Sequence, residues 1–287
     1  MSRDPVSKFY KDVPFNLIED IAYYKQSVIE QNQILEYKDL HSLLNRRSFL
    51  NLKPKIKSVI EFGCGTGWLT NSISYYYRKN VRAIDFTEKA VNIAAKISKE
   101  IKVKPSYYVS DIFDYQDKNK YDLVISLGVL HHTVDTRKAF NYISRFVKPG
   151  GYLYVGLYHY YGRRPMLNLL KGHLRWNGID TAYNLFKRMN KSMINEEQCY
   201  SWFRDQVLHP REDQHTFSEV STWFEDLGFN IVSTSINNYQ TLSRVPRHKL
   251  VSLEKKLENL SYEKNVKEFI FNPGYFTVCA KNNLENL

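Results

Sequence analysis

Cysteine is scarce in this sequence. Cys64, Cys199 and Cys279 stand far apart among 287 residues and form no CxxC pair. Neither a disulfide framework nor a zinc cage is signalled, no metal is expected, and a reducing compartment fits. Long apolar runs are missing as well. No stretch approaches the roughly 18 uninterrupted apolar residues that a membrane span needs. Met1-Ser2-Arg3-Asp4-Pro5 lacks the apolar core of a signal peptide, so a cytoplasmic protein is expected. There is no low-complexity tract, which excludes collagen-like, disordered and coiled-coil classes. What remains, with 43% apolar and 25% charged residues, fits one large compact domain or two small ones.

Acidic residues are outnumbered, 30 against 41 Lys and Arg, giving a net charge of +11. That balance suits a nucleic acid, an anionic surface or an acidic small substrate. The excess is concentrated. Arg46, Arg47, Lys53, Lys55 and Lys57 form one acid-free cluster; Arg163, Arg164, Lys171, Arg175, Lys187, Arg188 and Lys191 form another, broken only by Asp180. A solvated face is the favoured reading of the first cluster.

From Lys57 onward, β-branched runs alternate with amphipathic stretches, the pattern of βαβ units feeding a mostly parallel sheet. Strands are expected at 58–62, 81–86, 106–110, 122–127, 152–157, 230–236 and 275–280. Helices are expected at 68–77, 88–101, 136–147 and 218–227, the third stopped by Lys148-Pro149-Gly150-Gly151. The fold class is therefore α/β: a doubly wound, mostly parallel seven-stranded sheet with a helical N-terminal lid and an inserted cap. Residues 1–55 are expected to form the lid, 56–160 the nucleotide-binding core and 161–216 the cap. Residues 217–287 complete the core, with a helical insertion at about 239–272. Ligands in such sheets sit beyond the carboxyl ends of the strands.

The strongest motif stands at one such end: Glu61-Phe62-Gly63-Cys64-Gly65-Thr66-Gly67. Alternate glycines permit a sharp strand-to-helix turn and close approach of backbone to a ligand. The loop has no Lys or Arg, so it is no Walker loop, and its third glycine comes one residue too early for the dinucleotide fingerprint. Asp85 closes the next strand, placed to accept both hydroxyls of a ribose. Asp111, after the third strand, suits an adenine amine, although alone it reads equally as a turn cap.

These residues resemble a class I S-adenosylmethionine (SAM) dependent methyltransferase. Tyr121-Asp122-Leu123-Val124-Ile125-Ser126-Leu127-Gly128-Val129-Leu130-His131-His132 resembles that family's fourth-strand motif, and Phe146-Val147-Lys148-Pro149-Gly150-Gly151-Tyr152-Leu153 its post-helix motif. The resemblance covers about residues 57–160. It implies SAM as cofactor, S-adenosylhomocysteine (SAH) as product, and a site built from Glu61, Gly63, Cys64, Gly65, Thr66, Gly67, Trp68, Asp85, Phe86, Asp111, Ile112, Leu127 and Gly128. A neutral loop of backbone donors with acids nearby suits a sulfonium that carries no phosphate.

The chemistry then needs alignment, exclusion of water, and a base only where the nucleophile carries a proton. His131 and His132 are candidate bases or, equally, structural residues; His159 is a third candidate. Acceptor contacts are expected from Tyr158, Tyr160, Arg163, Arg164, Trp202, His209, Arg211 and His215, a mixture suited to a small, anionic acceptor. The function expected is methyl transfer to an oxygen or nitrogen of a small molecule. The positive charge keeps a tRNA or rRNA methyltransferase as the alternative. A SAM-binding subunit without catalysis is a second alternative, and the oligomeric state is not legible.

Overall fold

The strands begin where β-branched residues are buried on both faces, as the central strands of a parallel sheet must be. In the computed structural model, which describes residues 5–45, 55–240, 242 and 247–283, these are β1 (Ser58–Phe62), β2 (Asn80–Asp85), β3 (Ser106–Val109), β4 (Tyr121–Leu127), β5 (Val147–Tyr158), β6 (Phe229–Thr234) and β7 (Tyr275–Asn282). They form one sheet in the order β3-β2-β1-β4-β5-β7-β6. The first five run parallel, while β7 runs antiparallel to both β5 and β6. Strand order reverses between β1 and β4, so the crevice lies at their carboxyl ends. Arg46, Arg47 and Lys53 of the first basic cluster lie outside the described residues.

Helices cover both faces. α1 (Pro5–Asp12), α2 (Ile21–Glu30) and α3 (Lys38–Leu44) precede the sheet; α4 (Trp68–Tyr77), α5 (Glu88–Glu100) and α6 (Thr136–Ser144) alternate with its strands. α5 buries Ala90, Ile93, Ala94 and Ile97 on one stripe, against which Leu17, Ile18, Tyr24 and Val28 of the N-terminal segment pack. Asp20 and Asp135 cap α2 and α6, accepting from the amides of Tyr23 and Lys138. Thr216 and Glu219 stand at cap and third position of α9 (Phe217–Asp226), the spacing of a capping box.

The third helix is shorter than the sequence suggests. α6 ends at Ser144, and Val147 already pairs with Tyr121. Lys148-Pro149-Gly150-Gly151 is thus no helix stop but an irregularity inside β5, where the ladder register shifts and Pro149 is spared a hydrogen bond.

Between β5 and α9 the chain leaves the sheet. α7 (Tyr160–Met189) is interrupted at Gly178, whose φ of 81° breaks the helix, and α8 (Glu196–Phe203) runs into a π turn at Arg204–Leu208. Met166, Leu170, Ala182, Phe186, Phe203 and Val207 give these elements a core of their own. α10 (Arg247–Tyr262) packs along α7. Among the described residues, no helix is long and apolar enough to cross a membrane.

The turn from β1 into α4 is strained for anything but glycine: Gly63, Gly65 and Gly67 have φ of 77°, 51° and 82°. A Cβ on Gly67 would stand 2.5 Å from Ala94 Cβ and 3.2 Å from Ala94 Cα. Gly67→Ala is therefore expected to destabilise the fold by about 2 to 4 kcal/mol. Gly150→Ala, with φ of 72° but nothing within 4 Å of the added carbon, should lose only about 1 kcal/mol. Urea unfolding of the two variants checks the ranking, and equal losses would contradict the packing argument.

Candidate active site

A cavity of about 350 Å³ opens at the carboxyl ends of β1, β2, β3 and β4, roofed by Tyr10, Pro14, Phe15 and Asn16. Its floor includes Glu61, Gly63, Cys64, Gly65, Thr66, Trp68, Asp85, Phe86, Asp111, Ile112, Leu127 and Gly128. Gly67 is set back as the left-handed entry to α4. A Cβ on Gly65 would meet only the Phe15 carbonyl at 3.9 Å, and one on Gly128 nothing within 4 Å. These two glycines leave their backbone open to a guest.

Asp85 is buried, and each carboxylate oxygen holds one amide: Gly65 N–H at 2.8 Å and Thr87 N–H at 2.8 Å. A carboxylate has about four acceptor positions, so one remains on each oxygen for a pair of hydroxyls. Asp111 accepts from the Phe113 amide at 2.8 Å, closing a turn, while still lining the cavity. The cap and the ligand reading of this residue are thus compatible.

The loop is not the donor cradle expected from its glycines. The amides of Gly63 and Cys64 donate to the Ile84 carbonyl, that of Gly65 to Asp85 and that of Gly67 to the Cys64 carbonyl. What the loop leaves to the cavity is acceptor character, beside the Asp85 carboxyl. Glu61 is buried, bonded to the Thr70 hydroxyl, and pushed up to about 8 by loss of water with no cation facing it. Such a wall fits a cationic guest.

The histidines separate sharply. His131 is fully buried behind the cavity, stacked on Tyr158 with ring centroids 3.8 Å apart, and lines neither cavity. His159 caps α7, accepting from the Gly162 amide at 3.2 Å, and pairs with Glu254 at 3.2 Å. It holds α7 to α10 and does not reach the site, which corrects its reading as a base. His132 alone lines the cavity. Its Nδ1 lies 2.8 Å from the Arg211 carbonyl, and a carbonyl can only accept, so Nδ1 carries the proton. Nε2 is then a bare lone pair, buried without a hydrogen-bond partner among the described residues and 3.9 Å from Asp205 Oδ1. Burial pushes His132 down to about 4, which keeps the ring neutral at pH 7.

Asp205 lies where this cavity meets a second one of about 580 Å³. Phe15, Asn16, Trp68, Leu127 and Gly128 are also shared walls. Tyr10 donates to its Oδ1; Tyr158, at 3.0 Å, and Gln206, at 2.8 Å, donate to its Oδ2. Burial raises the carboxyl above its ordinary range. The second cavity is walled by Tyr23, Tyr24, Tyr37, Tyr158, Trp202 and Tyr275, and its charged described lining residues are Glu36 and Asp205.

The basic residues expected there are elsewhere. Arg163 is fully buried, bidentate on Glu212 at 2.9 and 2.6 Å, and stacked on Tyr158 at 3.6 Å. Its charge is already matched, so it cannot recognise an anionic acceptor. Arg164 stacks on the half-exposed Tyr160 ring at 3.9 Å, outside both cavities. His215 pairs with Glu219 and lies against Trp223. His209 packs on His132 and on Tyr10 without lining either space, and Arg211 contributes its carbonyl to His132. Of the acceptor residues expected, Trp202 and Tyr158 face the second cavity.

Sheet order, glycine turn and strand-end acids together define a class I SAM-dependent methyltransferase fold. Residues 60–155 match the family described as a methyltransferase domain. The chain is 23% identical over 235 residues to an uncharacterized protein of Synechococcus sp., covering 68% of this chain and 56% of that protein. It is 28% identical over 109 residues to the mitochondrial ubiquinone biosynthesis O-methyltransferase of Dictyostelium discoideum, covering 34% of each. The chain thus spans about half or less of the length of these curated relatives. Among solved structures, PKMT2 from Rickettsia typhi, in complex with AdoHcy, has the same fold, with a TM-score of 0.56, 12% identity, and 86% of this chain and 52% of that one covered.

Asp205, Gln206 and Tyr275 were not among the candidate site residues read from sequence. The available signal was slight: acids before a helix at 205, 212 and 213, without any indication which one would be buried.

His132 gives a test of its surroundings. The unfolded chain binds a proton near pH 6.5, the folded one only near 4. His132 therefore withdraws stability as pH falls through that window, by about 1.4 kcal/mol per unit. His132→Asn keeps a donor for the Arg211 carbonyl and removes the titration. The stability difference between wild type and variant should shift by that slope between pH 6.5 and 4.5 in urea melts, and a pH-independent difference would contradict the buried neutral ring.

Proposed function

We propose that this chain transfers a methyl group from SAM to an oxygen or nitrogen atom of a small-molecule acceptor, releasing SAH. The observation that carries the reading is the pair of cavities meeting at Asp205, one walled by the glycine turn, His132 and the acids Glu61, Asp85 and Asp111, the other by aromatic rings. When bound, SAM supplies a methyl group on a positively charged sulfur, which keeps the bonding electron pair as the carbon leaves.

The chain's own residues supply the rest. Asp85 has one free acceptor position per oxygen for the ribose hydroxyls, and Asp111 stands by for the adenine amine. Asp85 and the carbonyl-rich turn lower the potential where positive charge must sit. Residues 5–37 and the inserted α7 and α8 act as lid and cap that exclude water. Tyr24 donates to the Thr66 carbonyl at 3.0 Å, Thr66 to the Asn16 carbonyl at 3.1 Å, and Asn16 Oδ1 accepts from Gln198 at 2.7 Å and Trp202 at 2.9 Å. That chain of bonds ties glycine turn, lid and cap into one closure. The O-methyl transfer named for the Dictyostelium relative supports a small acceptor.

Two outcomes are expected. Asp85→Ala removes charge-assisted hydrogen bonds, each worth roughly 1.5 to 3 kcal/mol, so SAH affinity by calorimetry should fall at least tenfold. Unchanged affinity in a folded variant would refute the assignment. Asn16→Ala unties lid from cap, and stopped-flow dissociation of SAH should quicken roughly tenfold, the equivalent of one net hydrogen bond. An unaltered dissociation rate would mean that residues 5–37 do not gate the site.

A further inference from the structure

Two buried acceptors face each other across the junction of the cavities with nothing between them to share. His132 Nε2 carries no proton, because Nδ1 holds it for the Arg211 carbonyl, and it has no hydrogen-bond partner among the described residues. Asp205 Oδ1, 3.9 Å away, takes the Tyr10 hydroxyl on one side and has an acceptor position to spare. The separation is too long for a hydrogen bond, and neither atom has a hydrogen to give the other. One donor atom seated at about 2.9 Å from both would satisfy them together, provided it carries at least two hydrogens. A hydroxyl has one; an ammonium has two or three.

From this geometry we propose that the acceptor is a primary or secondary amine on a flat apolar body, its body in the second cavity and its cationic nitrogen where that cavity opens into the first, between Asp205, which lines both, and His132, which lines the first. The proposal rests on the methyl-transfer reading above and names its substrate class.

Charge points the same way. Asp205 is buried, and its ion-pair partner among the described residues is the neutral His132, since the Arg163 guanidinium is matched by Glu212. A buried carboxylate is stabilised by a cation seated against it. The walls add to it. Phe15, Tyr24, Tyr37, Trp68, Trp202 and Tyr275 present ring surface, which attracts cations, and no Lys, Arg or His stands among the described lining residues. Glu36, exposed, stands on the same lining. An anionic body would meet two carboxylates and no compensating charge.

The same contacts serve the transfer. Asp205 Oδ1, with its spare acceptor position, takes one ammonium proton, while His132 Nε2 accepts a hydrogen bond from a second N–H and fixes the nitrogen's orientation. The freed nitrogen pair bonds the methyl carbon as the carbon–sulfur pair stays on sulfur. The product is a methylammonium, a thioether and a protonated Asp205, whose proton goes to solvent. Asp205 is thereby a catalytic residue and His132 holds the acceptor in line.

Three probes of equal size decide the matter: phenethylamine, 2-phenylethanol and 3-phenylpropionate, titrated by calorimetry at pH 7.5 into SAH-saturated wild-type protein. Phenethylamine is expected to bind at least tenfold more tightly than either twin. Asp205→Asn should reduce that preference below about threefold; if this variant does not fold, the wild-type ranking stands as the test. Equal binding, a preference for the alcohol or the carboxylate, or no binding of any of the three overturns the amine assignment. SAH is titrated alone first. Failure of SAH to bind wild type would instead overturn the methyl-transfer reading beneath it.

Discussion

The Asp85 carboxylate is the constraint on which the site's geometry rests. It ends β2, and its two oxygens hold the amides of Gly65, in the turn after β1, and of Thr87, at the start of α5. A single buried side chain thus sets the spacing between two strand ends and two helix starts. The glycine turn can be left-handed three times over because this carboxylate and the Ile84 carbonyl consume its amides. Were those donors free, the turn would attract anions, as phosphate loops do. With them spent, the crevice presents carboxylates and carbonyls, and its polarity is reversed.

A second tier of order comes from Asn16. Its carbonyl and side-chain oxygen take hydrogen bonds from the glycine turn on one side and the inserted cap on the other. Arg204 reinforces the arrangement by donating to the carbonyls of Phe9 and Val13, with its guanidinium 4.4 Å from the Phe9 ring centroid. The N-terminal segment is therefore fastened at both edges, while its apolar residues Leu17, Ile18 and Tyr24 lie on α5.

The sheet and the cofactor wall were legible because their signals are local. β-branched runs set the strands, glycine spacing the turn, and strand-end position Asp85 and Asp111. Errors arose where a distant residue decides the outcome. Arg163 reads as a free cation until Glu212, 49 positions later, is seen to neutralise it. His159 reads as a base until Glu254, 95 positions away, is seen beside it. Asp205 was invisible for the same reason: its partners Tyr10 and Tyr158 come from the lid and β5. Even the basic excess of the inserted segment misled, since its buried member is matched and Lys171, Arg175 and Lys191 stand exposed.

The second cavity draws most of its walls from three stretches far apart in the chain, Phe15 to Tyr37, Ser192 to Gln206, and Pro273 to Tyr275, and the rest from Trp68, Ser72, Leu127, Gly128 and Tyr158. Few of those residues belong to β1, β2 or the turn that receives the cofactor. On the proposed function, substitutions in these stretches reshape the second cavity while Gly63, Gly65 and Asp85, which line the first, stay in place. In lineages descended from such a chain, substrate choice would drift quickly while the glycine turn stayed fixed, and relatedness read from the turn would say little about what each descendant modifies.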